Sequence, residues 1–208
     1  GSLLIRPISR GGLEMTMESD LKGIQVATPA PFGKSSAQAL PYQLSVTKTR
    51  DLRIKFRYGD LANGVIALEQ GDLKRGQIYL GTTPAYLPSD DGLSITGNID
   101  HELEAKAWWD LWNEIKPKVD LTQAAANKDK PAILTHINIS VPAVNSWQIP
   151  MGPSHIEGRH KWGQWLFDLE SELITGKIVM PDDLVNNAIV MDLEYIHMPI
   201  TENDPNKD

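Results

Sequence analysis

The chain contains no cysteine. That excludes a disulfide scaffold, a cysteine zinc site, an iron–sulfur cluster and a thiol nucleophile. No apolar run approaches the ~18–20 residues that carry a helix across a bilayer, so no membrane span is expected. Gly1–Pro7 does not read as a secretory leader, because its apolar stretch stops after three residues. Internal repeats at a 20–50 residue period and low-complexity linkers are also missing. The nucleophile motif Gly-x-Ser-x-Gly does not occur. Gly33-Lys34-Ser35-Ser36 fails as a phosphate loop, since Thr28 stands where its first glycine belongs.

What is present is an ordinary globular balance. Of the 208 residues, 41% are hydrophobic and 23% are charged. This fits a folded chain and excludes a rod, a collagen-like repeat or wholesale disorder. Twenty basic residues face 27 acidic ones, for a net −7. The acidity is concentrated at one end, where residues 181–208 carry seven acids and one lysine. The remainder is close to neutral, so the global charge is weak evidence against an anionic partner.

Apolar residues alternate with polar ones at Leu13–Glu18, Leu40–Val46, Leu52–Tyr58 and Ile133–Val141, which predicts half-buried strands. Shorter strands are expected at Leu21–Val26, Val65–Leu68, Gln77–Leu80, Leu93–Ile95, Ile178–Met180 and Ala188–Met198. Asn63-Gly64 suits a hairpin turn. Ile99, Leu103, Ala107, Trp108, Leu111, Trp112 and Ile115 recur at helical spacing, with Asn98 as N-cap and Pro117 as terminator. Trp162, Trp165, Leu166, Leu169 and Leu173 fit a second amphipathic helix, with Gly176 just beyond it. The expected fold is therefore α+β: a single domain over 1–200, an antiparallel-rich sheet, and two main amphipathic helices on one face. Residues 201–208 read as a flexible acidic tail.

Three features are candidates for function. Lys48, Arg50, Arg53, Lys55 and Arg57, against Asp51, give a local +4. Arg53, Lys55 and Arg57 share one strand face about 7 Å apart, a spacing suited to a nucleic-acid backbone. The plain reading is a solvated outer face that guards the sheet. All six tryptophans lie between 108 and 165. Trp108, Trp112, Trp162 and Trp165 are expected in the core of the two helices, leaving Trp109 and Trp147 as partner contacts. His155, Glu157 and His160 lack the spacing and third ligand of a metal site and read as an exposed helix entry.

These features point to a non-enzymatic interaction or structural subunit of a larger protein assembly, with a protein partner or self-association. The alternatives are a nucleic-acid module on 48–57 and an enzyme whose site is assembled only by the fold. No catalytic residue, metal or cofactor is expected. The chain reads as soluble, with the cytoplasm as the default compartment.

Overall fold

The computed structural model describes residues 1–115, 133–146, 149–183 and 186–197. Strands dominate it. In order they are β1 (Ser2–Ile8), β2 (Gly12–Ser19), β3 (Tyr42–Lys48), β4 (Leu52–Tyr58), β5 (Ala62–Glu69), β6 (Asp72–Leu80), β7 (Gly92–Asn98) and β8 (Leu103–Glu104). Helix α1 (Ala105–Ile115) follows. Then come β9 (Leu134–Val141), β10 (Val144–Ser146), β11 (Ile149–Pro150), β12 (Ser154–Lys161), β13 (Gln164–Ser171), β14 (Ile174–Pro181) and β15 (Val190–Ile196).

Twelve strands form one sheet in the order β1-β2-β3-β4-β5-β6-β7-β9-β12-β13-β14-β15. Neighbours are antiparallel except at β6–β7 and β7–β9, which are parallel. A parallel pair requires a crossover, because a tight hairpin cannot reverse the chain twice. The β6–β7 crossover lies on one face of the sheet and is tied down by two side chains. Asn63 donates to the carbonyls of Gly81 and Thr83, at 3.0 and 2.9 Å, and accepts from the Ala85 amide at 2.6 Å. Gln77, only 4% exposed, accepts from the Tyr86 amide at 2.9 Å and donates to Thr96 Oγ1 at 3.1 Å. Asn63→Ala removes three of these bonds at once. An expected loss of about 2–3 kcal/mol, read from urea denaturation midpoints, checks this anchor.

The β7–β9 crossover carries α1 across the opposite face. There Ala62, Leu80, Ile99 and Val141 are buried, packed by Phe32, Ile78, Ile95, Leu103, Ile139 and Val144. Phe32 comes from the β2–β3 connection and meets Trp108 of α1 edge-on at 5.9 Å. Lys34 pins that connection by donating to the carbonyls of Leu21, Ile24 and Ser35. Tyr58 donates its hydroxyl to the Phe32 carbonyl at 2.8 Å, and burial pushes its phenol above the ordinary tyrosine value. A raised phenol favours the neutral form in the fold. Stability from it is whole below the unfolded tyrosine pKa of about 10 and falls as pH rises through the folded value. Tyr58→Phe should therefore flatten the alkaline decline of the melting temperature.

This architecture corrects the α+β expectation. Among the described residues there is one α-helix, not two, and the protein is a large mixed sheet. The first helix begins late: Asn98 ends β7 and Leu103–Glu104 is a short strand before α1. The second does not exist. Its residues form the β12–β13 hairpin, closed by Trp162 and Gly163 at φ 54° and 73°. Trp165, Phe167 and Leu169 also alternate along the chain, and this two-residue period is the one the fold uses. Gly176 lies inside β14. The His155–His160 segment is a strand, not a helix entry. Asn63-Gly64 sits within β5, and the turn before it is Gly59–Leu61. Leu21–Val26 contributes only an isolated bridge, Val26 to Lys34. The acidic tail 201–208 lies outside the described residues.

Candidate functional site

Strand pairing aligns residues into rows that cross the sheet, and directly paired residues point to the same side. One row runs Leu3, Met17, Leu44, Phe56, Gly64, Ile78, Ile95, Ile137, Gly158, Phe167, Ile178, Met191. It crosses all twelve strands without one polar side chain. Twelve strands at ~4.8 Å spacing make this row about 53 Å long. A second row on the same side passes through Tyr42, Tyr58, Ala62, Leu80, Ile139, Ile156, Leu169 and Leu193. Ile5, Met15, Val46, Ile54 and Ile66 begin a third.

The alternate row, one residue away along each strand, is polar. It reads Ser2, Glu18, Gln43, Arg57, Asn63, Tyr79, Thr96, Asn138, Glu157, Asp168, Lys177, Asp192. The sheet therefore has two chemically opposite faces. In a folded domain an apolar face is normally covered by a second layer. Among the described residues, the cover given above reaches only one end of the central strands. Among the described residues, no hydrophobic side chain is as little as 2% exposed, and only five hydrophobic residues are buried. Among the described residues, most of the apolar face beyond that cover is half-buried, shielded by its neighbours within the sheet.

Two local features smooth this face. A Cβ on Gly64 would stand 2.4 Å from Phe56, and one on Gly158 would stand 2.5 Å from Phe167. Each ring lies across the neighbouring strand's glycine and fills its missing side chain. Trp165 stacks on Phe167 at 5.3 Å between ring centres. Met15, Met17, Met180 and Met191 also belong to this face, and the unbranched thioether adapts to irregular apolar contacts. Among the described residues both edges are open: β1 pairs only with β2 and β15 only with β14. Leu3, Ile5, Met191 and Ile196 on these strands are 49–60% exposed.

The residues singled out from the sequence are dispersed. Arg53, Lys55 and Arg57 share the polar face of β4, while Lys48 ends β3 and Arg50 lies in the following turn. Arg57 pairs with Asp60 at 2.8 Å. Arg53 and Lys55 line a cleft of about 310 Å³ with Lys74 and Arg75, but Glu14, Asp51 and Glu69 line it too. Asp91 binds Lys74 at 2.7 Å and raises its pKa by that bond. Trp109 is 55% exposed on α1; Trp147 and the side chain of Trp112 lie outside the described residues. Trp108 is half-buried against Phe32, and Trp165 lies on the apolar sheet face. Trp162, expected in the core, is 89% exposed at a hairpin turn.

Among the described residues, one group of histidine, hydroxyl and carboxylate side chains gathers on the polar face of β9 and β12. Ser140 Oγ lies 2.9 Å from His155 Nδ1, and His136 Nε2 lies 3.8 Å from Glu157. Glu157 is also engaged by Arg159 at 2.5 Å. The group sits on the sheet surface. Neither the cleft beside Arg53 nor one of about 670 Å³ between residues 25–38 and α1 includes it. Among the described residues no cluster of three His, Asp or Glu is placed to hold a metal ion. No helix of the described residues is long and apolar enough to cross a membrane.

The apolar face is the feature that reading the sequence strand by strand missed. Its signal was present as alternation in nearly every strand. What the alternation could not show is that the apolar sides line up on one sheet with so little of the described chain above them.

The family described as YhdP protein matches residues 6–208, and the chain belongs to that family. No curated protein and no solved structure matches it.

Proposed function

We propose that this member of the YhdP family is a non-enzymatic sheet module whose apolar face holds the hydrocarbon chains of an amphiphile. The observation that carries the reading is the row from Leu3 to Met191, apolar across twelve strands and open at both edges. Protein partners are held by defined anchors within a polar, hydrogen-bonding rim. Among the described residues the central rows of this face carry no such rim. Its central rows are aliphatic, aromatic and methionine side chains with glycines between, and they run to the sheet edges without a charged border. A flexible hydrocarbon chain needs no hydrogen bonds and gains roughly 0.8 kcal/mol for each CH₂ it buries.

The structural-subunit reading is retained at a coarser level. Open edge strands present unpaired backbone groups and suit a sheet that continues into further strands. The module thus supplies a stretch of a longer apolar surface. The basic strand offers less to a nucleic acid, because acids interrupt its cleft and Arg57 is already paired.

The test is loading. Protein purified from cells and measured by native mass spectrometry should carry amphiphile masses. After their removal it should bind a fluorescent fatty acid at saturable stoichiometry. A chain that purifies bare and shows no saturable binding would refute the reading.

A further inference from the structure

We propose that the β12–β13 hairpin tip docks on a lipid bilayer surface, with Trp162 as its anchor. The tip is a two-residue turn, Lys161 pairing with Gln164 across Trp162 and Gly163. Both turn residues have positive φ, 54° and 73°. Such turns favour Asn-Gly, because a left-handed backbone crowds any larger side chain. Here the first position holds a tryptophan that is 89% exposed, the most exposed large hydrophobic residue among those described. The residue is thus poor for the turn and makes little contact with the fold. Both costs are explained if its ring has a partner outside the molecule.

The surroundings narrow the partner's chemistry. Ile133 precedes β9 and Ile189 precedes β15, both at the end of the sheet that this hairpin closes. They are 50% and 43% exposed. From β9 to β15 is four strand spacings, about 19 Å. Three apolar residues so far apart make no contiguous patch of the ~800 Å² a stable protein contact buries on each side. A fluid surface imposes no such requirement and takes separated anchors at one depth. Tryptophan prefers the membrane interface, where its ring is apolar and its indole N–H stays hydrated. Lys161 beside it is exposed and can keep its ammonium in the headgroup layer while its stem lies below. Two acids lie near the tip: Asp182, 2.9 Å from His160, and Asp183, which accepts from the Asn186 side chain at 2.7 Å.

This proposal rests on the tip itself and goes beyond the hydrocarbon-chain reading, so the two can fail separately. The experiment is flotation of the full chain with phosphatidylcholine vesicles, with Trp fluorescence quenching by brominated lipid as a second readout. Wild type should float and be quenched. Trp162→Asn installs the better turn residue, so its melting temperature should be unchanged or higher. Its partitioning should fall about tenfold, with quenching lost. Trp109→Ala, which removes another exposed tryptophan on α1, should float as wild type does. Met17→Asp, on the apolar face, should also float while losing fatty-acid binding. Wild type that stays unbound, or Trp162→Asn that floats equally well, would overturn the proposal. Equal loss in Trp162→Asn and Trp109→Ala would overturn it too.

Discussion

Gly97→Ala is expected to cost more than about 4 kcal/mol and to lower the melting temperature by roughly 8–16 °C. Gly97 lies in β7, paired with Leu80 on one side and Ile139 on the other, at the parallel junction of the sheet. Its φ is 128°, a conformation that side chains rarely adopt. A Cβ there would stand 2.2 Å from the Leu80 carbonyl oxygen and 2.8 Å from the Leu80 nitrogen. Both obstacles are backbone, so no rotamer change relieves them. The adjoining strands would have to part, and with them the ladder that joins β1–β6 to β9–β15. Gly71→Ala provides the comparison. Its φ is 97° but nothing lies within 4 Å of the added carbon, so only conformational strain of about 1–2 kcal/mol is expected. Thermal melts of the two variants check the difference. Equal stability would mean that the β6–β7–β9 junction is not packed as described.

Met17→Asp should weaken fatty-acid binding by about 10- to 100-fold, whereas Thr16→Asp should leave it nearly unchanged. The two positions are adjacent in β2 but face opposite sides of the sheet. Met17 sits in the apolar row between Leu3 and Leu44, and Thr16 pairs with Leu4 and Ser45 on the polar side. A carboxylate in the row must either stay hydrated and exclude hydrocarbon or be dehydrated with no partner. Loss of one apolar side chain's burial, about 1.5–3 kcal/mol, sets the expected fold-change. Because Met17 is only half-buried, the fold should tolerate the change, and far-UV circular dichroism of both variants checks that. Similar losses in the two variants would place the ligand elsewhere.

The strands were largely legible in the residue pattern. Leu52–Tyr58 alternates strictly and is β4 at those bounds, with Arg53, Lys55 and Arg57 on the outer face. Leu13–Glu18 and Ile133–Val141 fall on β2 and β9. The failure was at Trp162–Leu173. Strand β13 carries Leu166 on the polar face, where it lies between Arg159 and Val179. That extra apolar residue beside Trp165 and Leu169 mimics helical spacing. The turn that would have broken the tie was hidden, because tryptophan is not a residue that turn chemistry predicts. The same misreading placed Trp162 in a core it does not have. The apolar face was hidden for a different reason. Alternation shows that a strand has an apolar side, and a globular chain is expected to cover that side. Whether twelve such sides share one surface depends on pairing across the chain, which no local pattern encodes.

A photoactivatable fatty acid, crosslinked to the full chain and mapped by peptide mass spectrometry, tests the account most directly. Adducts should fall on the apolar rows, at residues such as Met17, Leu44, Ile54, Ile178 and Met191. Few or none should fall on the polar row from Glu18 to Asp192. Adducts spread equally over both faces, or confined to the cleft beside α1, would contradict it.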